Sequence, residues 1–478
     1  MILATNGCLI DYNTFYNKVG MNGIRRVKNA FTITTIGHNN IPKKISSFKQ
    51  IDFDGKRTIS IPRFGGFMLQ KTGLIKEIKN TLSDGLNVDI DKSTLELSDN
   101  QNIVLSHLMD NIYTEINKQQ GRGSTILQMD PGYGKTYLAI GLINLLKKKT
   151  FIIVPNTYLL KQWVDALKIS FPNNRIGTYY GLKKTDGDII VSILNSALSY
   201  PASDYYNCGL IIYDEVHMYC SKKTSEIFRI AQSTYCLGLT ATPNERLDNF
   251  NKVAVWALGN VIRANNIPGW NFETSSFKTV VECIKYSGPA NYTKIIESKT
   301  GIVSVPLLMN QLQLDPHRND IIVNSAIKLY NMGRNVFIFS DRRCHLLTLA
   351  ALLDSQRINY EAPEIKTLMG GSSDIDIEDA KKNSRIILTT YQYSGTGVSI
   401  NKMDSIVLAT PRKSNMKQIL GRIYRLSGND NVVRYIIDIV DSKICLKSQF
   451  YTRKKTYIEL HAEINYMTMK WDDKKTLL

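Results

Sequence analysis

The stretch MDPGYGKT, running from Met129 to Thr136, constrains this 478-residue chain more than any other. It lies between an apolar run, Ser124 to Met129, and a helix-like run, Tyr137 to Leu146. A strand, a tight glycine-rich turn and a helix, in that order, aim backbone N–H groups and the positive end of a helix at one point. That arrangement holds a phosphate chain. Gly132 and Gly134, with Tyr133 between them, let the loop curl. Lys135 is then set to reach β- and γ-phosphates, and the Thr136 hydroxyl to hold Mg²⁺. The full loop pattern opens on Gly, whereas this chain has Met129 there. A turn that binds nothing would share the local spacing, so the downstream residues decide.

Composition narrows the partner. Sixty Lys and Arg against 42 Asp and Glu give a net charge of +18, which suits a polyanion, nucleic acid above all. No apolar run approaches the ~20 residues of a membrane span. The start, Met1 to Asn6, lacks the basic region of a secretory signal. A soluble, intracellular protein is expected. The seven cysteines form no Cys-x-x-Cys pair, which argues against structural zinc and a disulfide framework.

The texture of the chain predicts an α/β fold with two series of parallel strands and crossover helices. Residues 1–94 read as a small β-rich accessory domain, with strands over Ala30–Ile36 and Thr58–Pro62. Residues 95–255 read as the first parallel-sheet lobe and 256–311 as a connecting segment. Residues 312–440 read as the second lobe, with a helix over Met416–Tyr424, and 441–478 as a basic tail.

Asp214-Glu215 ends the apolar strand Leu210–Tyr213, downstream of the phosphate loop. Asp214 is expected to hold the same Mg²⁺ as Thr136, and Glu215 to act as base on the attacking water. An isolated Asp-Glu pair is usually a solvated turn; following a phosphate loop, it reads as catalytic. His217, Thr240 and Thr242 fall at adjacent strand ends, where parallel sheets place their sites, and are expected to couple that site to the second lobe. On a helix, Gln418, Arg422 and Arg425 share one face. Such a face can enter the phosphate site from a second lobe, where arginine fingers supply roughly 10³–10⁵ in rate.

With these groups in order, residues 95–440 resemble a superfamily 2 helicase of the DExH type. Leu97 to Gln101 is similar to the adenine-side glutamine element, Asp130 to Thr136 to motif I, and Val154 to Trp163 to motif Ia of the XPB-like branch. Asp214 to His217 is similar to motif II and Thr240 to Pro243 to motif III. Thr389 to Gly397 is similar to motif V and Gln418 to Arg425 to motif VI. Tyr393–Gly397, Asn415–Arg422 and the β-rich start resemble the poxvirus transcript-release helicase family of large DNA viruses.

The resemblance implies two tandem RecA-like lobes, ATP and Mg²⁺ as cofactors, and DNA-dependent ATP hydrolysis with unwinding and transcript release. It also implies Gln101 on the adenine side, and Asn156, Thr157, Thr390 and Gly395 on the phosphodiester backbone. RNA polymerase is an implied partner, the chain acting as a monomer in host cytoplasm and virion if viral. Ser399 stands where motif V usually carries Asp, which puts coupling rather than ATP binding in question. An RNA helicase of the same fold, and an ATP-gated scaffold that does not unwind, are the competing readings.

Overall fold

A computed structural model describes residues 1–4, 7–36, 42–91, 94–241, 251–271, 278–295, 297, 303–356, 365–395, 400–414, 416–424, 432–442 and 444–470. The chain divides into two compact units, Met1–Asn271 and Phe272–Leu478. Among the described residues, no helix is long and apolar enough to cross a membrane.

The first unit opens with a five-stranded sheet ordered Lys49–Phe53, Lys56–Ile61, Gly7–Asp11, Ile2–Ala4 and Lys79–Asn80, beside the hairpin Thr32–Ile36 and Pro42–Ser46. A helix not foreseen from the strand pattern, Tyr12–Ala30, crosses it. Asp11 caps this helix on Thr14 N, and Gly20 kinks it at φ 62°. Tyr12, Phe15, Ile24 and Val27 bury its inner face. This sheet shares one apolar core with the strands that follow. Phe31 meets Trp256 edge-on at 5.5 Å. Arg63, wholly buried, donates to the carbonyls of Gly121 (2.8 Å), Ser233 (2.8 Å) and Thr234 (3.0 Å). Its Nη1 also reaches Cys236 Sγ at 3.8 Å, and this set of acceptors holds the buried cation by geometry, since an unbonded one costs several kcal/mol.

The main sheet of this unit runs Lys183–Lys184, Ile176–Tyr180, Ile189–Ile193, Thr150–Val154, Leu210–Tyr213, Tyr235–Thr240, Ser124–Gln128 and Val261–Arg263. Every neighbour pair is parallel except the first. Thr150–Val154 and Leu210–Tyr213 are buried at every position, which is why they read as unbroken apolar runs. The registers pair Tyr213 with Ile153 and Gly238, and Thr240 with Gln128. The C-terminal ends of four central strands therefore lie on one edge.

Among the described residues the second unit carries a sheet of seven strands, all parallel: Ile365–Leu368, Ile386–Thr390, Val336–Ser340, Ser405–Leu408, Arg434–Asp441, Thr279–Ser287 and Glu463–Lys470. Each unit thus carries a RecA-like parallel sheet, as the sequence predicts.

Several expected boundaries differ. The presumed connection holds Val261–Arg263, an edge strand of the first sheet, and Thr279–Ser287, an interior strand of the second. The presumed tail supplies a helix, Ile444–Glu459, and the edge strand Glu463–Lys470. The helix expected over Met416–Tyr424 stops at Leu420, and Arg422 N and Ile423 N turn back to Ile419 O and Leu420 O. Those three-residue turns tighten the backbone. The 3.6-residue spacing that put Gln418 and Arg422 on one face does not continue past Leu420.

Candidate nucleotide site

The loop after Ser124–Gln128 is shaped by its glycines. Gly132 has φ 90° and Gly134 φ 77°, both in the region L-residues avoid. Gly134 is also the residue before the helix Lys135–Leu146. A Cβ on Gly134 would lie 2.2 Å from the Gln101 amide nitrogen. Met129 is buried in the core and donates its N–H to Thr240 O at 3.0 Å, so its side chain packs away from the loop mouth. Lys135 Nζ donates to Met129 O at 3.0 Å, folding the ammonium back over the loop.

Gln101 is committed at both ends. Its Oε1 accepts from Ser98 N at 2.9 Å in a capping box at the start of the helix Asp99–Asn111. Its Nε2 donates to Tyr133 O (3.1 Å) and Gly134 O (3.3 Å). Here the expected adenine-side residue braces the phosphate loop itself.

Asp214 and Glu215 stand at the same sheet edge. Asp214 is buried; its Oδ2 accepts from Trp163 Nε1 at 2.8 Å and its Oδ1 from Glu215 N at 3.0 Å. Burial, then repulsion from Glu215, pushes the Asp214 carboxyl up to about 6, against the indole N–H and the Lys135 charge, which pull it down. Tyr219 donates its hydroxyl to Asp214 O (2.6 Å) and Ile153 O (2.9 Å), fixing the turn. Glu215 adopts φ 50°, a left-handed conformation unfavourable for a side chain of this size. Its Oε2 is buried and has no hydrogen-bond partner among the described residues. The nearest cationic candidate, His217 Nδ1, lies 3.4 Å from that oxygen and 3.0 Å from Thr240 Oγ1.

The first unit thus brings together Gln101, Tyr133, Gly134 and Lys135 around the loop, and Glu215, His217 and Thr240 in one contact chain. Thr136 follows Lys135 in the first helical turn. Mg²⁺ binds through one or two carboxylates plus phosphate oxygens, not an all-protein cage, and the hard oxygens of Asp214 and Thr136 fit that donor set. Asn156 caps the helix Thr157–Ser170 on Leu159 N at 2.9 Å, and Thr157 opens it. In the second unit, Thr390 ends its strand and accepts from Tyr393 N at 3.1 Å, while Gly395 closes the short helix Tyr391–Gly395. Gln418 lies in Met416–Leu420 and Arg422 beyond it. Thr242, Ser399 and Arg425 lie outside the described residues.

Sequence reasoning missed the work of Trp163, which stabilises the Asp214 carboxylate from 51 positions away. The Gln162-Trp163 pair that ends the stretch Val154–Trp163 is a visible signal, but its target is not.

Two RecA-like parallel sheets with a phosphate loop, an Asp-Glu-x-His strand end and a hydroxyl-bearing neighbouring strand define the superfamily 2 helicases, the class of nucleic-acid-dependent ATPases with helicase activity. Residues 94–245 match the family model for the type III restriction enzyme, res subunit. The chain is similar to the putative ATP-dependent RNA helicase QP509L of African swine fever virus (isolate Tick/Malawi/Lil 20-1/1983). The two are 33% identical over 371 residues, covering 73% of this chain and 71% of that protein. It is also similar to transcript termination protein A18 of Yaba-like disease virus, at 27% identity over 65% of this chain and 66% of that one. Among solved structures, the ATP-dependent Type ISP restriction-modification enzyme LlaBIII bound to DNA overlays with a TM-score of 0.53 at 13% identity. It covers 81% of this chain and 32% of that one, a likeness of fold alone. The chain belongs to the superfamily 2 helicases of large DNA viruses, alongside QP509L.

Proposed function

We propose that this chain is an ATP-driven DNA translocase and helicase of viral transcription, releasing or terminating transcripts as a monomer with RNA polymerase as its partner. The observation that carries the chemistry is Glu215: a carboxylate oxygen buried on a strained backbone at the sheet edge that bears the phosphate loop, with no hydrogen bond among the described residues and only the His217 ring nitrogen near it, at 3.4 Å. Such an oxygen is a ready acceptor for the proton of a water attacking a γ-phosphate.

In this reading the N–H groups of residues 132–136 cradle the phosphates and Lys135 neutralises the β/γ oxygens. Tyr133 and Gln101 shape the base side of the loop. Thr136 and Asp214 hold Mg²⁺, which when bound withdraws charge from the phosphate oxygens. His217 and Thr240, with Thr242, relay the state of that site. Gln418, Arg422 and Arg425 contribute from the second lobe, stabilising charge on the transferred phosphoryl group. Asn156, Thr157, Thr390 and Gly395 grip the phosphodiester backbone without reading bases. The net charge of +18 supports a long polyanionic partner. The relative named as a transcript termination protein supports the role in transcription.

A second reading, an RNA-directed motor, is favoured by the name of the African swine fever relatives. Measuring ATPase stimulation by single-stranded DNA, duplex DNA and RNA, with strand displacement on each, separates them. The proposal expects the largest stimulation and displacement on DNA. Stimulation by RNA alone overturns the DNA assignment, and hydrolysis without displacement on any substrate leaves a scaffold.

A further inference from the structure

The chain leaves the first unit beside the phosphate loop. After Val261–Arg263, which pairs with the strand feeding that loop, Arg263 Nε donates to Gln128 Oε1 at 3.2 Å. A single helical turn, Ala264–Asn266, leads to Ile267, whose carbonyl accepts from Trp270 N at 3.1 Å. Gly269 takes φ 88° to make that bend. The Trp270 ring then lies over Tyr133, with centroids 5.3 Å apart and planes inclined by 37°. Both rings are half-buried.

A second contact fixes the next residue. Asn100 Nδ2 donates to Asn271 O at 2.8 Å, and Asn271 N donates to Asn100 Oδ1 at 2.9 Å. This reciprocal pair copies the pairing of two peptide groups and holds the backbone at 271 in one orientation. Asn100 is adjacent to Gln101, whose amide holds Tyr133 O and Gly134 O. One helical turn therefore grips the phosphate loop with one side chain and the departing chain with the one before it. Trp270 closes the triangle by packing on the loop's own aromatic residue.

We propose that Trp270 is a positioning residue of the nucleotide site. Through Tyr133, and with Asn271 clasped by Asn100, it ties the shape of the phosphate loop to the segment by which the chain leaves the first unit. Nucleotide that reshapes the loop moves Tyr133, and the Trp270 environment changes with it. This rests on the nucleotide-site reading above.

The test uses the full chain and ADP with Mg²⁺ as the probe. Calorimetry follows binding to wild type, Trp270→Ala, Trp270→Phe and Asn100→Ala, and tryptophan emission is recorded on adding ADP. An aromatic pair contributes roughly 0.5–1.5 kcal/mol, so Trp270→Ala is expected to weaken ADP binding about 2–12-fold, with Trp270→Phe restoring most of it. Asn100→Ala is expected to weaken binding in the same direction. The part of the emission change owed to Trp270 is expected to vanish in Trp270→Phe, a readout a merely structural ring does not move. If ADP binding is unchanged in Trp270→Ala and the emission change persists in full in Trp270→Phe, the inference fails while the nucleotide site stands. If wild type binds no ADP, the nucleotide-site reading fails and takes the inference with it. Should Trp270→Ala not fold, the emission test on Trp270→Phe decides.

Discussion

The phosphate-loop edge of the first unit and the strand Arg434–Asp441 of the second treat buried acids in opposite ways. In the second unit every buried carboxylate on the strand Arg434–Asp441 is neutralised. Asp438 receives two bonds of 2.8 Å from Arg453, and a third of 2.7 Å from the Tyr457 hydroxyl. Asp441 receives two from Arg318, at 2.9 and 3.1 Å. His345 is similarly committed, between Ser340 (3.0 Å) and Asn319 (2.9 Å), and burial pushes its pKa down to about 3. In the first unit Asp214 and Glu215 lie side by side, and among the described residues neither is ion-paired with a Lys or Arg. Paired charges hold a sheet together; unpaired adjacent ones cost stability and retain reactivity. The contrast sets uncompensated acids beside the phosphate loop of the first unit against fully compensated ones on this strand of the second.

The sharpest way to break that contrast is to change Glu215. Glu215→Gln keeps the shape and removes the proton acceptor. Nucleic-acid-stimulated ATP turnover is expected to fall by about 10²–10⁴, with the melting temperature of the chain unchanged or slightly raised. A variant with near-normal turnover would show that the uncompensated acid is not the base.

The same contrast explains what was legible in the sequence. The phosphate loop and the Asp-Glu pair could be read because each is a local device: a buried strand, a turn and a helix within a few residues. Parallel strands buried on both faces announce themselves as apolar runs, which made both sheets visible. The groups that complete the site are not local. Trp163 reaches Asp214, Asn100 reaches Asn271 and Arg63 reaches Ser233 across long sequence separations, and no periodicity marks such pairs. The strand Glu463–Lys470 was hidden for another reason. It is an exposed edge of polar and apolar residues, whose only structural cue is its pairing with Thr279–Ser287. The helix around Gln418 is shorter than its spacing implies, because spacing alone cannot show that Arg422 N and Ile423 N turn back three residues instead of four.

The second unit supplies the next largest effect. Asp438→Asn leaves the Arg453 guanidinium buried with its counter-charge removed. Breaking a buried pair in this way costs about 3–5 kcal/mol. Urea unfolding is expected to show that loss. Hydrogen exchange is expected to place it in Arg434–Asp441 and Ile444–Glu459, while ADP binding measured below the unfolding transition stays unchanged. Normal stability with impaired ADP binding would reverse the roles assigned to the two units.

The smallest effect runs in the opposite direction and comes from Asp214. Its native carboxyl is raised to about 6 from an ordinary value of 3.8, chiefly by burial and then by Glu215. Below pH 4 both native and unfolded forms carry the proton, so the group costs nothing. Between pH 4 and 6 the unfolded chain releases its proton first, and native stability falls as pH rises. Above pH 6 the full penalty is present, on the order of 3 kcal/mol from the ~1.4 kcal/mol that each pKa unit represents. Asp214→Asn keeps an acceptor for the Trp163 N–H and removes the charge. Without Mg²⁺ and nucleotide, this variant is therefore expected to melt above wild type at pH 7.5 and with it near pH 4, although its ATPase activity is lost. A stabilisation equal at both pH values would mean that packing, not charge, separates the variant from wild type. Asp214 would then no longer count as an acid held ionised against its surroundings.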